Sequence, residues 1–127
     1  MLQDFIFSQK VDDYVKYLFP ILDKMPKWER FATVAEIKST CFTIKKKVIR
    51  IHKSRNPISL LHETDVELEM LRWLLRLCYT RKFIAHHSFE TSAKLVDELG
   101  RILGGLLNSA YAKEKKKAER NSSGEGM

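Results

Sequence analysis

Apolar residues return along most of this chain at steps of three and four, the spacing that places them on one face of an α-helix. The first such stretch runs from Gln9 to Met25, with Val11, Tyr14, Leu18, Ile21, Leu22 and Met25 in register and Phe7 extending it backwards. Pro20 lies inside it and predicts a kink near Lys16 to Pro20, because a proline removes one backbone hydrogen bond and crowds the preceding turn; Pro26 ends the element. A second helix is predicted from Trp28 to Lys53, its core face being Val34, Ile37, Cys41, Ile44, Val48 and Ile51. Asn56-Pro57 marks a turn, and a third helix follows from Ile58 to Lys82, with Leu61, Leu68, Leu71, Leu75 and Cys78 on one side. The fourth is predicted from His87 to Lys115: Phe89, Ala93, Val96, Leu99, Leu103, Leu107 and Ala110 line its core side, and Leu95, Ile102 and Leu106 widen the stripe. Four helices with short connections predict an all-α, antiparallel up-down four-helix bundle over residues 1–112. After Ala112 the pattern gives way to Lys113-Glu114-Lys115-Lys116-Lys117 and a Ser/Gly-rich end, predicted to fray into a basic, disordered tail over residues 113–127.

Two of these helices carry more apolar positions than one core can use. On the third, Val66, Met70, Trp73 and Leu77 fall nearly opposite the core face; on the second, Phe31, Phe42 and Ile49 interrupt the polar side. A helix apolar on both sides is normally covered on both sides. The stripe Val66, Met70, Trp73, Leu77 and the residues Phe31, Phe42 and Ile49 are therefore expected to form an oligomer interface, Phe42 and Ile49 foremost on the second helix. Gly100, Gly104 and Gly105 each lower helix propensity by about 1 kcal/mol relative to Ala, and their place in a strongly periodic helix predicts a tight crossing with another backbone.

Charge changes the picture next. The 127 residues hold 23 Lys and Arg against 16 Asp and Glu, a formal +7 with a pI near 9.5, which favours an anionic partner such as nucleic acid. From Ile37 to His62 there is no acid at all, while Lys38, Lys45, Lys46, Lys47, Arg50, Lys53 and Arg55 are basic. Lys45, Lys46, Arg50 and Lys53 are the candidate phosphate-binding positions of the second helix, by counterion release rather than base reading. Arg72 and Arg76, one turn apart, suit either phosphate and acidic partner groups or ion pairs with Asp65 and Glu69. The composition, 44% hydrophobic and 31% charged, is that of a soluble protein, and no apolar run reaches the length that spans a bilayer. The first ten residues lack a basic start and a cleavage site, so no secretory signal is expected. Cys41 and Cys78 lie on apolar stripes far apart, as buried free thiols in a reducing cytoplasm would.

Catalytic chemistry finds little to work with. A di-metal bundle needs a Glu with a His three residues later, twice, and no acid here has a His at that offset. His52, His62, His86 and His87 form no ligand spacing, and glycine-rich phosphate loops, a Gly-x-Ser-x-Gly turn and a recognisable Cys/His pairing are absent. The expectation is a protein that is not an enzyme and uses no metal or cofactor.

Three motifs then resemble a known family. Tyr17-Leu18-Phe19-Pro20-Ile21 followed by Met25-Pro26, the run Leu71-Arg72-Trp73-Leu74-Leu75-Arg76, and Leu99-Gly100-Arg101-Ile102-Leu103-Gly104 are similar to the accessory variability determinant proteins of diversity-generating retroelements, over Lys10 to Ala112. The resemblance implies a four-helix bundle assembled into a basic homopentameric barrel. It also implies a non-enzymatic protein that binds the element's reverse transcriptase and its RNA and cDNA, supporting mutagenic retrohoming. The matching positions are Pro20, Arg72, Arg76, Gly100, Arg101 and Gly104: the arginines for polymerase or nucleic-acid contact, the proline and glycines for structure. Ala85-His86 departs from the Ser/Thr-Pro helix start that the family would have. Two other readings stay open: a four-helix protein of the kind encoded in ribosomal-RNA intervening sequences, and an oligomerisation module whose basicity is incidental.

Overall fold

The computed structural model describes residues 2–125, with side chains described through Ser122. Among the described residues four helices make the fold: α1 (Leu2–Asp23), α2 (Thr33–Lys53), α3 (Ile58–Thr80) and α4 (His86–Glu125), with a 3-10 turn at Lys27–Glu29. Each of α1 and α3 packs on both α2 and α4, so α2 and α4 lie on a diagonal. Short connections make successive helices antiparallel. Among the described residues there is no strand.

The core sits on the seam where the four apolar faces meet. α1 contributes Phe7, Val11, Tyr14, Leu18 and Leu22; α2 contributes Val34, Ile37, Cys41, Ile44, Val48 and Ile51, the face its periodicity predicts. From α3 come Leu61, Leu68, Leu71, Leu75 and Cys78, as predicted, together with Thr64 and Leu74. α4 differs in part. Its buried line is Ser92, Val96, Leu99, Leu103 and Leu106, while Phe89, Ala93, Leu107 and Ala110 are half-buried flanks. The apolar stripe of α4 is wider than the seam, and its packing against α1 and α3, not the periodicity, selects which rows point to the centre.

Several boundaries move for identifiable reasons. α1 begins at Leu2 rather than near Gln9, and runs unbroken through Pro20, which is exposed. α2 begins at Thr33 rather than Trp28. Residues between Pro26 and Thr33 form the 3-10 turn and a following turn, closed by Glu29 N–H to Pro26 O at 2.9 Å and Ala32 N–H to Glu29 O at 3.1 Å. α3 ends at Thr80 because Lys82 takes φ 62°, the left-handed conformation that stops a helix. Phe83 N–H then reaches back to Cys78 O at 2.8 Å, and Ile84 is returned to the core. α4 starts at His86, where Phe89 N–H bonds Ala85 O at 3.0 Å without any Ser/Thr-Pro start.

Two expectations are corrected. The chain past Ala112 is helical to Glu125: its Lys, Glu and Ala residues are good helix formers, so α4 continues as a rod with every side chain from Tyr111 to Ser122 exposed. Gly126 and Met127 of the expected tail lie outside the described residues. The second correction concerns the glycines. A methyl built at Gly104 or Gly105 would meet nothing within 4 Å, so no backbone of the protomer crosses closely there. Of these three glycines Gly100 alone has a close neighbour, and it is a side chain: the same methyl would come 2.8 Å from Nη2 of Arg72.

Candidate functional site

The bases of α2 divide into two groups once the helices are packed. Lys38 reaches Asp23 of α1 at 2.9 Å, Lys45 reaches Asp12 at 2.7 Å and the Ser8 hydroxyl at 2.9 Å, and Lys47 reaches Glu63 of α3 at 3.6 Å. Acids from the neighbouring helices thus neutralise both flanks of a segment that has none of its own. Lys46, Arg50 and Lys53 remain, all exposed and in no ion pair among the described residues. Lys45, expected in the phosphate-binding set, is held against α1 instead.

The three arginines also separate. Arg72 bridges Glu69, on its own helix, and Asp97 of α4, its Nη2 3.4 Å from the carboxylate and lying over Gly100. It therefore ties α3 to α4, and Gly100 is the residue that leaves room for its guanidinium. Arg76 and Arg101 are exposed and carry no ion pair among the described residues. Arg101 stands on α4, diagonal to α2, so the packing does not gather the seven candidate bases into one patch.

The second apolar stripe of α3 faces outward. Val66 is 66% exposed, Trp73 56% and Met70 37%, with Leu77 half-buried beside them. On α2, Phe42 is 55% and Ile49 47% exposed. The packing adds a contributor that the periodicity missed, because α1 starts earlier than expected. Phe5 stands edge-on to His52 at 4.6 Å and lines a groove between α1 and α2 with Val48, Ile49 and Lys53. The run Phe5-Ile6-Phe7 before Gln9 was the available signal.

A cavity of about 640 Å³ opens between the start of α1, the α2–α3 turn and α4; Leu2, Ile51, Arg55, Pro57, Leu106 and Lys113 are among its walls. His52 there lies 3.9 Å from Asp4 and bonds no hydroxyl among the described residues. Burial pushes the Cys41 thiol up to about 12 and, with the charge of Glu29 adding to it, the Cys78 thiol up to about 11, so neither is a thiolate near neutral pH. Among the described residues no group of three or more His, Cys, Asp or Glu is placed to hold a metal ion, and no helix is long and apolar enough to cross a membrane. His86 and His87 are exposed at the start of α4. His86 has the Tyr79 hydroxyl at 2.8 Å on Nδ1 and Glu90 at 3.0 Å on Nε2.

A family model described as bAvd-like matches residues 5–110. The chain belongs to the bAvd-like family. No curated protein matches it. The match bears out the resemblance carried by the three motifs, and bAvd-like proteins are accessory and non-catalytic in kind. Its limits also fit the packing: it begins at Phe5 and ends at Ala110, one residue before α4 becomes exposed on all sides. At that point the Tyr111 hydroxyl meets His62 Nε2 at 2.7 Å, the outermost tie between α3 and α4.

One further cluster in the bAvd-like chain escaped the sequence reading. Glu29, only 6% exposed, accepts the Thr33 hydroxyl at 2.6 Å and the Thr33 N–H at 3.4 Å, and lies 3.2 Å from Nη1 of Arg81 at the end of α3. A carboxylate at a helix N-terminus satisfies free N–H groups and the positive end of the helix dipole, so Glu29 caps α2 and ties it to α3. The Thr33 hydroxyl foremost, and the Arg81 guanidinium further, hold its carboxyl below the usual carboxylate range. A depressed carboxyl contributes stability above its unfolded pKa and loses it as pH falls through the folded value. Glu29→Gln is therefore expected to lower the urea midpoint near neutral pH, with the gap to the parent closing on acidification from about pH 7 to about pH 3. A gap that stays constant across that range would show that the charge of Glu29 is not what the cap uses.

Proposed function

We propose that this bAvd-like protein is a non-enzymatic accessory factor of a diversity-generating retroelement, binding the element's reverse transcriptase and its RNA and cDNA as a ring of identical protomers in the cytoplasm. The observation that carries the reading is the outward apolar stripe of α3 together with the apolar groove of α1 and α2, bordered by the unneutralised ridge Lys46, Arg50 and Lys53. Stripe and groove stand on different elements, so a contact in which one protomer's stripe covers the next protomer's groove is heterologous, and a heterologous contact that closes makes a ring. Five subunits follow from the family resemblance. A ring repeats each ridge around its circumference, and repeated weak phosphate contacts combine by avidity. Arg76 and Arg101, exposed and in no ion pair among the described residues, suit the acidic groups of a polymerase or further phosphates. Family membership favours this reading over a ribosomal-RNA intervening-sequence protein or a purely structural module.

Trp73→Glu places a charge in the α3 stripe and is expected to reduce the assembly to smaller species in light scattering while the helical signal in circular dichroism persists; a full-sized oligomer would take the stripe out of the interface. Replacing Lys46, Arg50 and Lys53 together by Gln should weaken binding to RNA and flatten the slope of log K against log salt by up to about 3. An unchanged slope would move the phosphate contacts off α2. Tagged protein is expected to bring down the element's reverse transcriptase, and recovery of nucleic acid without the polymerase would leave the chain a nucleic-acid-binding oligomer alone.

A further inference from the structure

At the end of the bundle where α1 passes into α2 and α3 into α4, two aromatic rings stand in water among bases. Trp28 is 74% exposed and Phe31 90%. Neither packs on another ring among the described residues. Lys24, Lys27, Arg30 and Lys82 share this end, all exposed and in no ion pair among the described residues.

Single exposed apolar residues are ordinary, but these two sit on a backbone that is held. Glu29 lies between them and is buried, bonded to Thr33 and Arg81; Arg30 N–H bonds Lys27 O at 3.2 Å, and Met25 just before the turn is in the core. The anchor points inward, and the residues on either side of it are left outward. Rings presented on a fixed turn lose less freedom on binding than rings on a mobile loop.

The chemistry of the occupant follows from what surrounds the rings. An apolar protein surface covering Trp28 and Phe31 would also have to cover Lys27 and Arg30, which separate and flank them in the order Lys-Trp-Glu-Arg-Phe, while the one acid of that run is turned away to Arg81. Alternating cations and rings match a chain that alternates phosphates and bases. In a duplex the base faces are stacked on one another and closed to the rings, whereas in a single strand they are open. We propose that Trp28 and Phe31 are stacking platforms for the bases of single-stranded nucleic acid, with Lys27, Arg30 and Lys82 holding its phosphates. This rests on the nucleic-acid reading above and adds the form of the strand and a second surface, away from the α2 ridge.

The full-length protein with Trp28→Ala and Phe31→Ala, compared with the parent on oligo-uridine and on duplex DNA of equal length, tests it. Single-strand affinity is expected to fall about tenfold or more, the scale of lost base stacking, with duplex affinity nearly unchanged. Trp28→Tyr with Phe31→Tyr, which keeps the rings, should restore single-strand binding. Unchanged single-strand affinity, or an equal loss on both probes, overturns the platform and leaves the ridge standing; unchanged affinity with loss of reverse-transcriptase capture assigns the rings to the protein partner instead. A parent that binds neither probe removes the nucleic-acid reading itself.

Discussion

Leu18 of α1, Ile37 of α2, Leu68 and Leu71 of α3 and Val96 of α4 are all wholly excluded from water, and they meet on one seam. Burying a side chain of that size contributes roughly 1.5–3 kcal/mol, and helices in water gain most of their stability from such packing rather than from propensity. The seam accepts one stripe from each helix. α2 and α3 bring more apolar residues than that, and with two neighbouring helices each they leave Phe42, Ile49, Val66, Met70 and Trp73 open to water, Phe42 keeping an edge contact with the Phe19 ring. The outward apolar surface follows from the geometry of four helices around one axis.

The same packing sorts the charges. Exposed ion pairs typically contribute about 0–1 kcal/mol each, so the contacts of Lys38, Lys45 and Lys47 with Asp23, Asp12 and Glu63 matter less for stability than for where positive charge remains. They leave Lys46, Arg50 and Lys53 exposed on α2, with Lys53 at the edge of the groove toward α1. Arg72 shows the same sorting. With Glu69 and Asp97 around it and Gly100 beneath, it holds α3 to α4, while Arg76 one turn on is left exposed.

Where the helices end, polar groups replace the apolar seam. Glu29 caps α2 and reaches Arg81; Tyr79 lies flat on Phe89 at 4.4 Å and shares its hydroxyl with His86. These contacts join the α1–α2 connection and the α3–α4 connection into one fixed end, which is what sets Trp28 and Phe31 outward. The cysteines belong to the opposite category: Cys41 and Cys78 are core residues whose burial keeps them as thiols.

Helix number, order and most of the core faces of α1, α2 and α3 were legible in the residues, because a spacing of three and four records which side of a helix is dry before any partner is known. So were the family, from three short motifs, and the excess apolar stripes on α2 and α3. The start of α1, the turn at Lys27–Glu29 and the helical extension of α4 were not, since helix ends depend on contacts made elsewhere: Glu29 can be recognised as a cap only once Thr33 and Arg81 are beside it. Charge was legible as a total and misleading as a pattern. The acid-free run from Ile37 to His62 has its acids on other helices, and only the fold brings Asp12, Asp23 and Glu63 to it. Periodicity is a property of one helix and was determined by the sequence alone; which lysines stay free, which arginine becomes a tie and which glycine makes room are properties of neighbours, and only tertiary packing chooses neighbours.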